Sequence, residues 1–419
     1  KGANLHPFFV SKNYVNVNKK HFKVKSMSQD AVVIVSAART PMGGMMGSLS
    51  EVRAPDLCAT SIKAAVERAG LKADDVDEVV MGCVLPAGLG QAPARQASRA
   101  AGIPDAAGCT TVNKMCGSGM KAVMMAHDQI LAGSANVMVA GGMENMSQAP
   151  YILPKARQGM RMGHGQVMDH MFLDGLEDAY EGGLMGTFAQ KSADDFNVTR
   201  EAMDDFAIGS LEKAIAAIES GEFKDEIAPV TIKTRKGEVV VDTDEQPGNA
   251  RIDKIRGLRP AFKKDGTVTA ANSSSISDGG SALLLMKESD ANARGLQPLA
   301  RIVSHSTHAQ LPAEFTIAPI GAIQKALDKA GWSKDDVDLY EVNEAFAVVS
   351  ILAINEMGLD ADKVNVRGGA CALGHPIGSS GSRIMVTLLH ALKQKGLKKG
   401  VASLCIGGGE ATAVAVEMI

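Results

Sequence analysis

The chain has few of the residues that mark several large classes of protein. Only 4% of its 419 residues are aromatic, and a single tryptophan is present. Nucleic-acid surfaces stack bases on aromatic side chains, so this composition argues against such a surface. Lysine and arginine number 44 against 47 aspartate and glutamate residues, and the net charge of −3 creates no overall field that attracts polyanions or anionic membranes.

Cysteine is also scarce, and no long apolar run is present. Six cysteines in a chain of this length are too few for a disulfide framework, and none belongs to a CxxC pair or another zinc-ligand pattern. We therefore expect reduced thiols, an intracellular location and no metal centre. Because no run of about 18 apolar residues occurs, we expect no segment that spans a membrane.

Residues 1–26 differ from the rest of the chain. They are rich in lysine, with Lys12, Lys19 and Lys20 among them, and no acidic residue occurs before Asp30. We interpret this segment as an extension, either a targeting signal or an artificial addition, and leave it out of the fold argument. We expect a cytoplasmic protein, or one of a mitochondrial or other organellar matrix if the segment is a targeting signal.

The remaining chain contains an internal repeat. A helical pattern, an acidic turn and an apolar strand pattern occupy residues 62–81, and the same order of patterns returns at residues 323–342. Residues 137–144 likewise match residues 402–410. Two copies of alternating strands and helices indicate a duplicated α/β fold, and we expect a mostly parallel sheet covered by helices on both faces.

The repeat divides the chain into predicted domains. The N-terminal half takes residues 28–147 plus 272–297, and the C-terminal half takes residues 298–419. Residues 148–271 have a different texture, with an amphipathic helix predicted at 200–218, and are interpreted as an inserted loop domain. Its basic stretch at 155–161 is either a solvated face or a contact with phosphate or a subunit. The first strand is predicted at 31–35, followed by a loop at 36–41.

Cys116 lies in a setting that suits sulfur chemistry. Residues 110–115 have the pattern of a strand leading into a loop, and residues 117–126 have that of a helix. The free N–H groups and the dipole at a helix N-terminus favour the thiolate, and glycines admit a bulky substrate close to the backbone. Cys116 is therefore predicted to be reactive. Buried structural roles are predicted for the cysteines Cys58, Cys83, Cys109 and Cys371.

The same glycines permit a different interpretation. Gly117, Gly119 and Ala122 resemble the fingerprint of a dinucleotide-binding loop. Such a loop needs an acidic residue that closes the second strand, and here the strand pattern at 137–140 ends in two glycines. We therefore do not favour a nicotinamide or flavin enzyme.

Three residues of the second half extend the pattern. His375 precedes Pro376, which disfavours a helix, so its imidazole is predicted to lie on a loop and to reach a substrate, or else to be a satisfied surface or core histidine. Asn343 follows a predicted strand and either polarises a carbonyl or occupies a turn. Cys405 precedes three glycines and is the second candidate thiol.

These segments together resemble the thiolase family. The similarity rests on residues 113–120, 343–346, 374–378 and 405–409, in that order along the chain. Residues 36–41, 141–147 and 258–262 are similar to the family as well, so the resemblance covers residues 29–419. It implies two ααβαβ-type halves forming a five-layered α-β-α-β-α core, an inserted loop domain, and a homodimer or homotetramer.

The resemblance also implies a chemistry. Thiolases condense two acyl-CoA molecules or cleave a 3-ketoacyl-CoA with CoA, by a ping-pong mechanism. By this resemblance Cys116 carries the acyl group, His375 accepts its proton, and Cys405 is the acid/base for the α-carbon. Asn343, through a bound water, forms one oxyanion site with His375. The backbone N–H groups of Cys116 and Gly407 form the other.

Further correspondences concern the coenzyme A arm. By resemblance Ser274 contacts the pantetheine, although a helix cap is an equal interpretation of that serine. Leu184 stands where short-chain relatives often carry histidine, and this departure leaves the acyl-chain preference open. Acetoacetyl-CoA is favoured as the substrate over a longer-chain 3-ketoacyl-CoA of fatty-acid oxidation. No cofactor beyond the CoA substrates is implied. The expected pocket walls are Met185, Phe262, Ala345 and Phe346.

Two rival functions share the architecture. A 3-ketoacyl synthase would typically place a second histidine where Asn343 stands and would lack Cys405. A catalytically silent lipid or CoA carrier would have no chemical need for Cys116 and Cys405 together. The sequence therefore favours a thiolase over both.

Overall fold

A computed structural model describes residues 30–419 of the chain. The predictions for residues 1–26 lie outside these described residues. Within the described range, no helix combines the length and the apolar character that crossing a bilayer requires.

The elements follow one another in three stretches of the chain. The first stretch contains β1 (Val32–Arg39), β2 (Gly43–Gly44), α1 (Ala54–Arg68), β3 (Glu78–Gly82), α2 (Pro93–Ala100), β4 (Gly108–Val112), α3 (Ser118–Ala132) and β5 (Val137–Asn145). The middle stretch contains β6 (Tyr151–Ile152), β7 (Met168–Asp169), a π-helical turn (Phe172–Leu176), α4 (Met185–Asp195), α5 (Arg200–Glu219), β8 (Val230–Thr234), β9 (Gly237–Val241), α6 (Glu245–Asn249) and α7 (Ile252–Ile255). The last stretch contains β10 (Ser277–Lys287), α8 (Glu288–Ala293), β11 (Ala300–Ala309), α9 (Ala318–Ala330), β12 (Leu339–Val342), α10 (Ala347–Met357), α11 (Ala370–Leu373), α12 (Ser380–Lys395), β13 (Lys399–Ile406) and β14 (Glu410–Met418).

The main sheet is mixed, and the prediction of a mostly parallel sheet was wrong. Its strand order is β12-β13-β14-β11-β1-β10-β5-β3-β4. Strand β3 runs parallel to β4 and β5, and β12 runs parallel to β13, but β10 and β14 run antiparallel to both of their neighbours along this order. The reason is visible in the second half, where residues 407–409 alone join β13 to β14. So short a link permits only an antiparallel hairpin.

The layers reproduce the duplication. Strands β1 and β11 pair only at Val33 and Ile34, so the sheet of each half is nearly separate. Helices α3 and α12 pack between the two half-sheets, α1 and α2 cover the outer face of the first, and α9 and α10 cover the outer face of the second. Successive residues of strand β10 pack against different helix layers, because side chains alternate between the two faces of a sheet. Leu283 packs against the central helices, and Leu284 packs against α1. The five-layered α-β-α-β-α core is confirmed.

The two central helices approach closely through glycine. A Cβ atom on Gly119 of α3 would lie 2.5 Å from the Ser382 hydroxyl, and one on Gly381 of α12 would lie 2.5 Å from the backbone nitrogen of Met120. Any larger residue would therefore push the two N-terminal turns apart. Each half contributes one of these glycines.

Strand β1 is longer than predicted, and its end carries a buried charge. Residues 36–39 were expected to form a loop, yet they continue the pairing with β10 after a bulge. Arg39 is fully buried because its guanidinium donates to Glu226 at 2.5 Å and to both oxygens of Asp244 at 2.7 and 2.8 Å. Arg367 from the second half also donates to Glu226, at 3.3 Å. Glu226 thus joins both halves to the middle stretch.

We predict that Glu226→Ala destabilises the protein by about 3 kcal/mol, because it removes the buried carboxylate that Arg39 and Arg367 share and leaves each guanidinium with a single carboxylate partner, Asp244 or Glu222. Urea denaturation followed by circular dichroism measures the change. The matched control is Asp335→Ala, which removes the exposed partner of Lys334 and should leave the unfolding midpoint unchanged. Equal midpoints for both variants would contradict the role assigned to Glu226.

Candidate active site

One cavity of about 250 Å³ collects most of the predicted site. Its walls are apolar apart from a few thiol, imidazole and hydroxyl groups, as expected of a small-molecule pocket. The π-helical turn at 172–176 and Phe315, neither of which the sequence indicated, complete the wall. The sequence-predicted residues that line the cavity are Cys116, Met185, Phe262, Ser274, Ala345, Phe346, His375, Cys405 and Gly407.

Cys116 lies just before the N-cap of α3, which is Gly117. Burial raises the pKa of Cys116 to about 11, although the backbone N–H groups of Gly407 and of Cys116 itself oppose this shift by pointing at the sulfur. Loss of solvation thus outweighs the helix terminus that the sequence indicated as favouring the thiolate. The resting group is a thiol that requires a base.

The loop that presents Cys116 is held in an unusual backbone conformation. Met115 has φ of 46°, in the left-handed region that a residue with a side chain seldom adopts. The Ser118 hydroxyl donates to the Met115 carbonyl at 2.6 Å, and the Met115 N–H donates to Asn113 at 2.9 Å. Lys114 forms an ion pair with Glu410, at the start of β14. This pair ties the first cysteine loop to the loop that follows the second cysteine.

His375 is oriented as a neutral base. The Ser380 hydroxyl donates its only proton to the Pro376 carbonyl at 3.0 Å, so the His375 Nδ1–H must donate to the Ser380 oxygen, 2.5 Å away. The Nε2 atom then carries the lone pair, and it has no hydrogen-bond partner among the described residues. Burial, and secondarily the positive charge of Arg383, lower the pKa of His375 to about 3. The imidazole therefore faces the cavity uncharged.

Glu144 fixes the loop that carries His375, and sequence reasoning assigned it no role. Its fully buried carboxylate accepts from Val84 at 3.0 Å, from Leu85 at 3.1 Å and from the Gly378 N–H at 2.9 Å. Burial raises the pKa of Glu144 to about 7, while these N–H groups oppose the shift. The sequence did carry a signal for this role, since Glu144 is an acid near the end of an otherwise apolar strand pattern. A carboxylate buried there needs hydrogen-bond donors around it.

Cys405 lies near the end of β13 and is 1% exposed. Burial, and secondarily the nearby sulfur of Cys116, raise its pKa well above the ordinary value. The two candidate thiols thus open on the same cavity from different halves of the chain, each in its neutral form. Neither thiol forms a disulfide bond, since all six cysteines of the sequence are free.

Asn343 is the predicted catalytic residue that is not among those lining the cavity. The side chain is 1% exposed, and neither its amide nitrogen nor its amide oxygen has a hydrogen-bond partner within residues 30–419. A buried amide without partners costs several kcal/mol unless water or a ligand satisfies it. Asn343 and the His375 Nε2 atom therefore both lack a polar partner among the described residues, while the Asn343 carbonyl accepts from the Ala345 N–H at 3.0 Å within the link after β12.

The residues predicted to contact coenzyme A are brought together by a short backbone pairing between residues 273–274 and 345–346. The Ser274 N–H donates to the Ala345 carbonyl at 3.0 Å. The backbones of Ser273 and Phe346 form an isolated antiparallel β-bridge. The ring of Phe346 meets that of Phe262 edge to face at 6.3 Å. The helix-cap interpretation of Ser274 was wrong, because the serine run leads into strand β10 and not into a helix.

A second cavity, of about 350 Å³, shares Ser273 with the first. Its wall is more polar and carries two cations of the α7 segment, Arg251 at the N-cap and Lys254 in the last turn. Cys371 also lines this second cavity and is half-buried, as is Cys109, so the prediction that both are buried was wrong. The prediction holds for Cys58 and Cys83, which are buried.

Two family models match the chain. The model for the thiolase N-terminal domain matches residues 32–289, and the model for the thiolase C-terminal domain matches residues 296–418.

Curated relatives and a solved structure agree with these models. The chain is 52% identical over 388 residues to the acetyl-CoA acetyltransferase of Cupriavidus necator, covering 92% of this chain and 99% of the relative. It is 52% identical over 389 residues to the acetyl-CoA acetyltransferase of Escherichia coli, with the same coverage. The crystal structure of the Bacillus anthracis acetyl-CoA acetyltransferase superimposes with a TM-score of 0.91 at 44% identity, covering 93% of this chain and 99% of that one.

We predict that His375 makes the protein sensitive to acid. Its folded pKa of about 3 lies below the ordinary value of 6.5, so the unfolded chain binds the extra proton and stability falls as the pH drops from 6.5 towards 3. Between pH 7 and pH 5 the loss is on the order of 2 kcal/mol. His375→Asn should lose less stability over that interval in urea denaturation.

The matched control is His164→Asn, which replaces an exposed histidine and should keep the pH dependence of the wild type. If His375→Asn and His164→Asn show the same pH dependence, the buried neutral imidazole is not the cause.

Proposed function

The chain belongs to the thiolase family of acyltransferases, and on that premise we propose that it condenses two acetyl-CoA molecules reversibly to acetoacetyl-CoA and CoA. The observation that carries this proposal is the placement of Cys116, His375 and Cys405 on one cavity. A nucleophile, a neutral base and a second thiol are the groups that such a Claisen condensation requires.

The first half of the reaction acylates Cys116. The Nε2 atom of His375 takes the thiol proton, and the sulfur attacks the acetyl-CoA carbonyl. The N–H groups of Cys116 and Gly407, which point towards that sulfur, stabilise the tetrahedral oxyanion. Cys405 is a neutral acid at rest, so it protonates the departing CoA sulfur and becomes a thiolate.

The second half forms the carbon–carbon bond. The Cys405 thiolate removes the α-proton of a second acetyl-CoA, and its high pKa makes it a strong base for this weak C–H acid. The imidazolium of His375 and a water held by Asn343 stabilise the enolate oxygen, which satisfies the atoms that lack partners. The enolate then attacks the acyl group, and Cys116 leaves as a thiolate that recovers its proton from His375.

The size of the acyl group is a further part of the proposal. The relatives named above are acetyl-CoA acetyltransferases, which supports a two-carbon acyl group. Leu184, at the position where short-chain relatives often carry histidine, lines the cavity together with Phe172 and Phe315. A series of kcat/KM values for 3-ketoacyl-CoA substrates separates this proposal from a longer-chain thiolase.

The coenzyme A arm is proposed to extend from the catalytic cavity into the second one. Ser273 belongs to both walls, so the pantetheine passes there from Ser274 towards the outer cavity. The cations of Arg251 and Lys254 match the phosphate groups of the nucleotide. No cofactor beyond the CoA substrates enters these steps.

The assembly and the location remain predictions. We propose a homodimer or homotetramer, with residues 148–271 as the inserted loop domain and its exposed basic stretch at 155–161 available to a phosphate or a subunit. A cytoplasmic location, or an organellar matrix if residues 1–26 direct import, is proposed on the same footing.

We predict that the purified chain cleaves acetoacetyl-CoA in the presence of CoA, seen as loss of the enolate absorbance. Cys116→Ser should abolish acyl-enzyme formation, because a hydroxyl is a far weaker acid than a thiol and the buried His375 imidazole, with its lowered pKa, is a weak base for it. Cys405→Ser should still acylate Cys116 from acetyl-CoA, seen by mass spectrometry, although more slowly because the CoA sulfur departs without the Cys405 proton, while condensation falls by at least about 1000-fold.

Cys109→Ser is the matched control, since this half-buried thiol lines neither of the two cavities, and it should retain both steps. Equal loss of acylation in the Cys116 and Cys405 variants would contradict the separate roles. Absence of turnover with every 3-ketoacyl-CoA tested would overturn the proposed function.

We predict that Arg251→Ala and Lys254→Ala each raise the KM for CoA about tenfold with kcat nearly unchanged, because a phosphate contact binds ground state and transition state alike. Lys264→Ala removes an exposed cation outside both cavities and should have no effect. The N-acetylcysteamine thioester lacks the nucleotide, so neither variant should change its KM as acyl donor. A similar rise with that donor would exclude the proposed nucleotide contact.

A further inference from the structure

Two histidines and an aspartate converge on the surface at a junction between the halves. His127 and Asp128 lie on α3, and His305 lies on β11. The His127 Nδ1 atom and the His305 Nε2 atom lie 3.0 and 2.8 Å from the same oxygen, Oδ1 of Asp128. None of the three lines the catalytic cavity. They also form the one group in the described part of the chain with three closely spaced metal-ligand side chains.

The geometry is suited to coordination. One ligand atom from each residue lies within 4.8 Å of the other two. Ligands bound at about 2.0–2.2 Å from one ion lie within such a distance of one another. The imidazole side chains are only 13% and 17% exposed, and their rings meet edge to face with centroids 5.0 Å apart, so packing restricts their rotation. The ion would therefore meet ligands that are already oriented.

The donor set selects the kind of ion. Two imidazole nitrogens favour first-row transition metals and zinc over magnesium and calcium, which prefer oxygen. Asp128 is 57% exposed, so the open side of the group faces solvent, where water completes the coordination. Coordination needs no net loss of protons from neutral imidazoles, because each ring proton moves to the other ring nitrogen while the freed nitrogen binds the metal.

We propose that His127, Asp128 and His305 form a binding site for a divalent transition-metal ion, with Zn²⁺ the ion that fits best. The ion joins α3, whose N-terminus presents Cys116, to the second half through β11. Its role is to stabilise the contact between the halves, because an ion that binds only the folded arrangement shifts the equilibrium towards it.

The alternative is that no metal binds and that a proton lies between each imidazole nitrogen and the Asp128 oxygen. Asp128 then only accepts hydrogen bonds from both imidazoles, and the group is a polar contact between the halves. The two interpretations differ in what happens when Zn²⁺ is added to chelator-treated protein.

The test is a Zn²⁺ titration of the chelator-treated full chain by calorimetry. The wild type should bind one equivalent more than the double variant His127→Ala/His305→Ala, and only the wild type should show the corresponding rise of about 2 °C or more in Tm. The matched control His164→Ala removes an exposed loop histidine and should bind as the wild type does. Unchanged basal acyl-transfer activity of the double variant shows that it is folded. Equal stoichiometry in wild type and double variant overturns the proposal.

Two further measurements do not depend on the double variant. Asp128→Asn keeps an acceptor for the imidazoles but loses the anionic ligand, so the affinity for Zn²⁺ should fall at least about tenfold, since even outer-shell changes cost that much. Co²⁺ bound to the wild type should show visible ligand-field bands without sulfur-to-cobalt charge transfer. A charge-transfer band would place the metal on a cysteine, and unchanged affinity in Asp128→Asn would exclude the aspartate; either result overturns the proposed site.

Discussion

The close contact of α3 with α12 is the constraint on which the catalytic geometry depends. Gly119 and Gly381 let the two N-terminal turns meet, so the residue before one helix and the loop before the other reach the same cavity. Cys116 and His375 come from different halves and are brought together by this helix contact rather than by any turn of the chain. A side chain at either glycine would clash with the facing helix and displace the segments that carry these two residues.

Duplication supplies the frame, and departures from symmetry supply the chemistry. Both halves place a cysteine beside glycines, yet Cys116 lies at the beginning of a helix while Cys405 lies at the end of a strand. The ion pair between Lys114 and Glu410 holds these two segments together. Glu144 likewise holds the His375 loop by accepting a hydrogen bond from Gly378. Buried or half-buried charged residues therefore fix the site loops, which the repeated helices and strands alone do not hold.

The sequence allowed the repeat and the helix after Cys116 to be predicted, since hydrophobic period and glycine placement are local signals. The shared location of the two thiols was predicted only through the resemblance to the thiolase family. It did not allow the sheet direction to be predicted, because a mixed and a parallel sheet have the same buried strand pattern. The end of β1 was mistaken for a loop, since the partners that bury Arg39 lie far along the chain. The charge states of Cys116 and His375 were beyond sequence reasoning for the same reason, as burial is a property of the assembled layers.

The protonated resting state of the two thiols has a consequence for the life of the protein in a cell. Peroxides and electrophiles attack thiolates far faster than thiols, and a cysteine whose pKa lies well above neutrality offers them almost no reactive form. The burial that raises the pKa values of Cys116 and Cys405 thus acts as protection against oxidation. In the proposed mechanism the Cys116 sulfur becomes a nucleophile only when His375 takes its proton in the presence of an acyl donor, so its exposure to oxidants is confined to turnover.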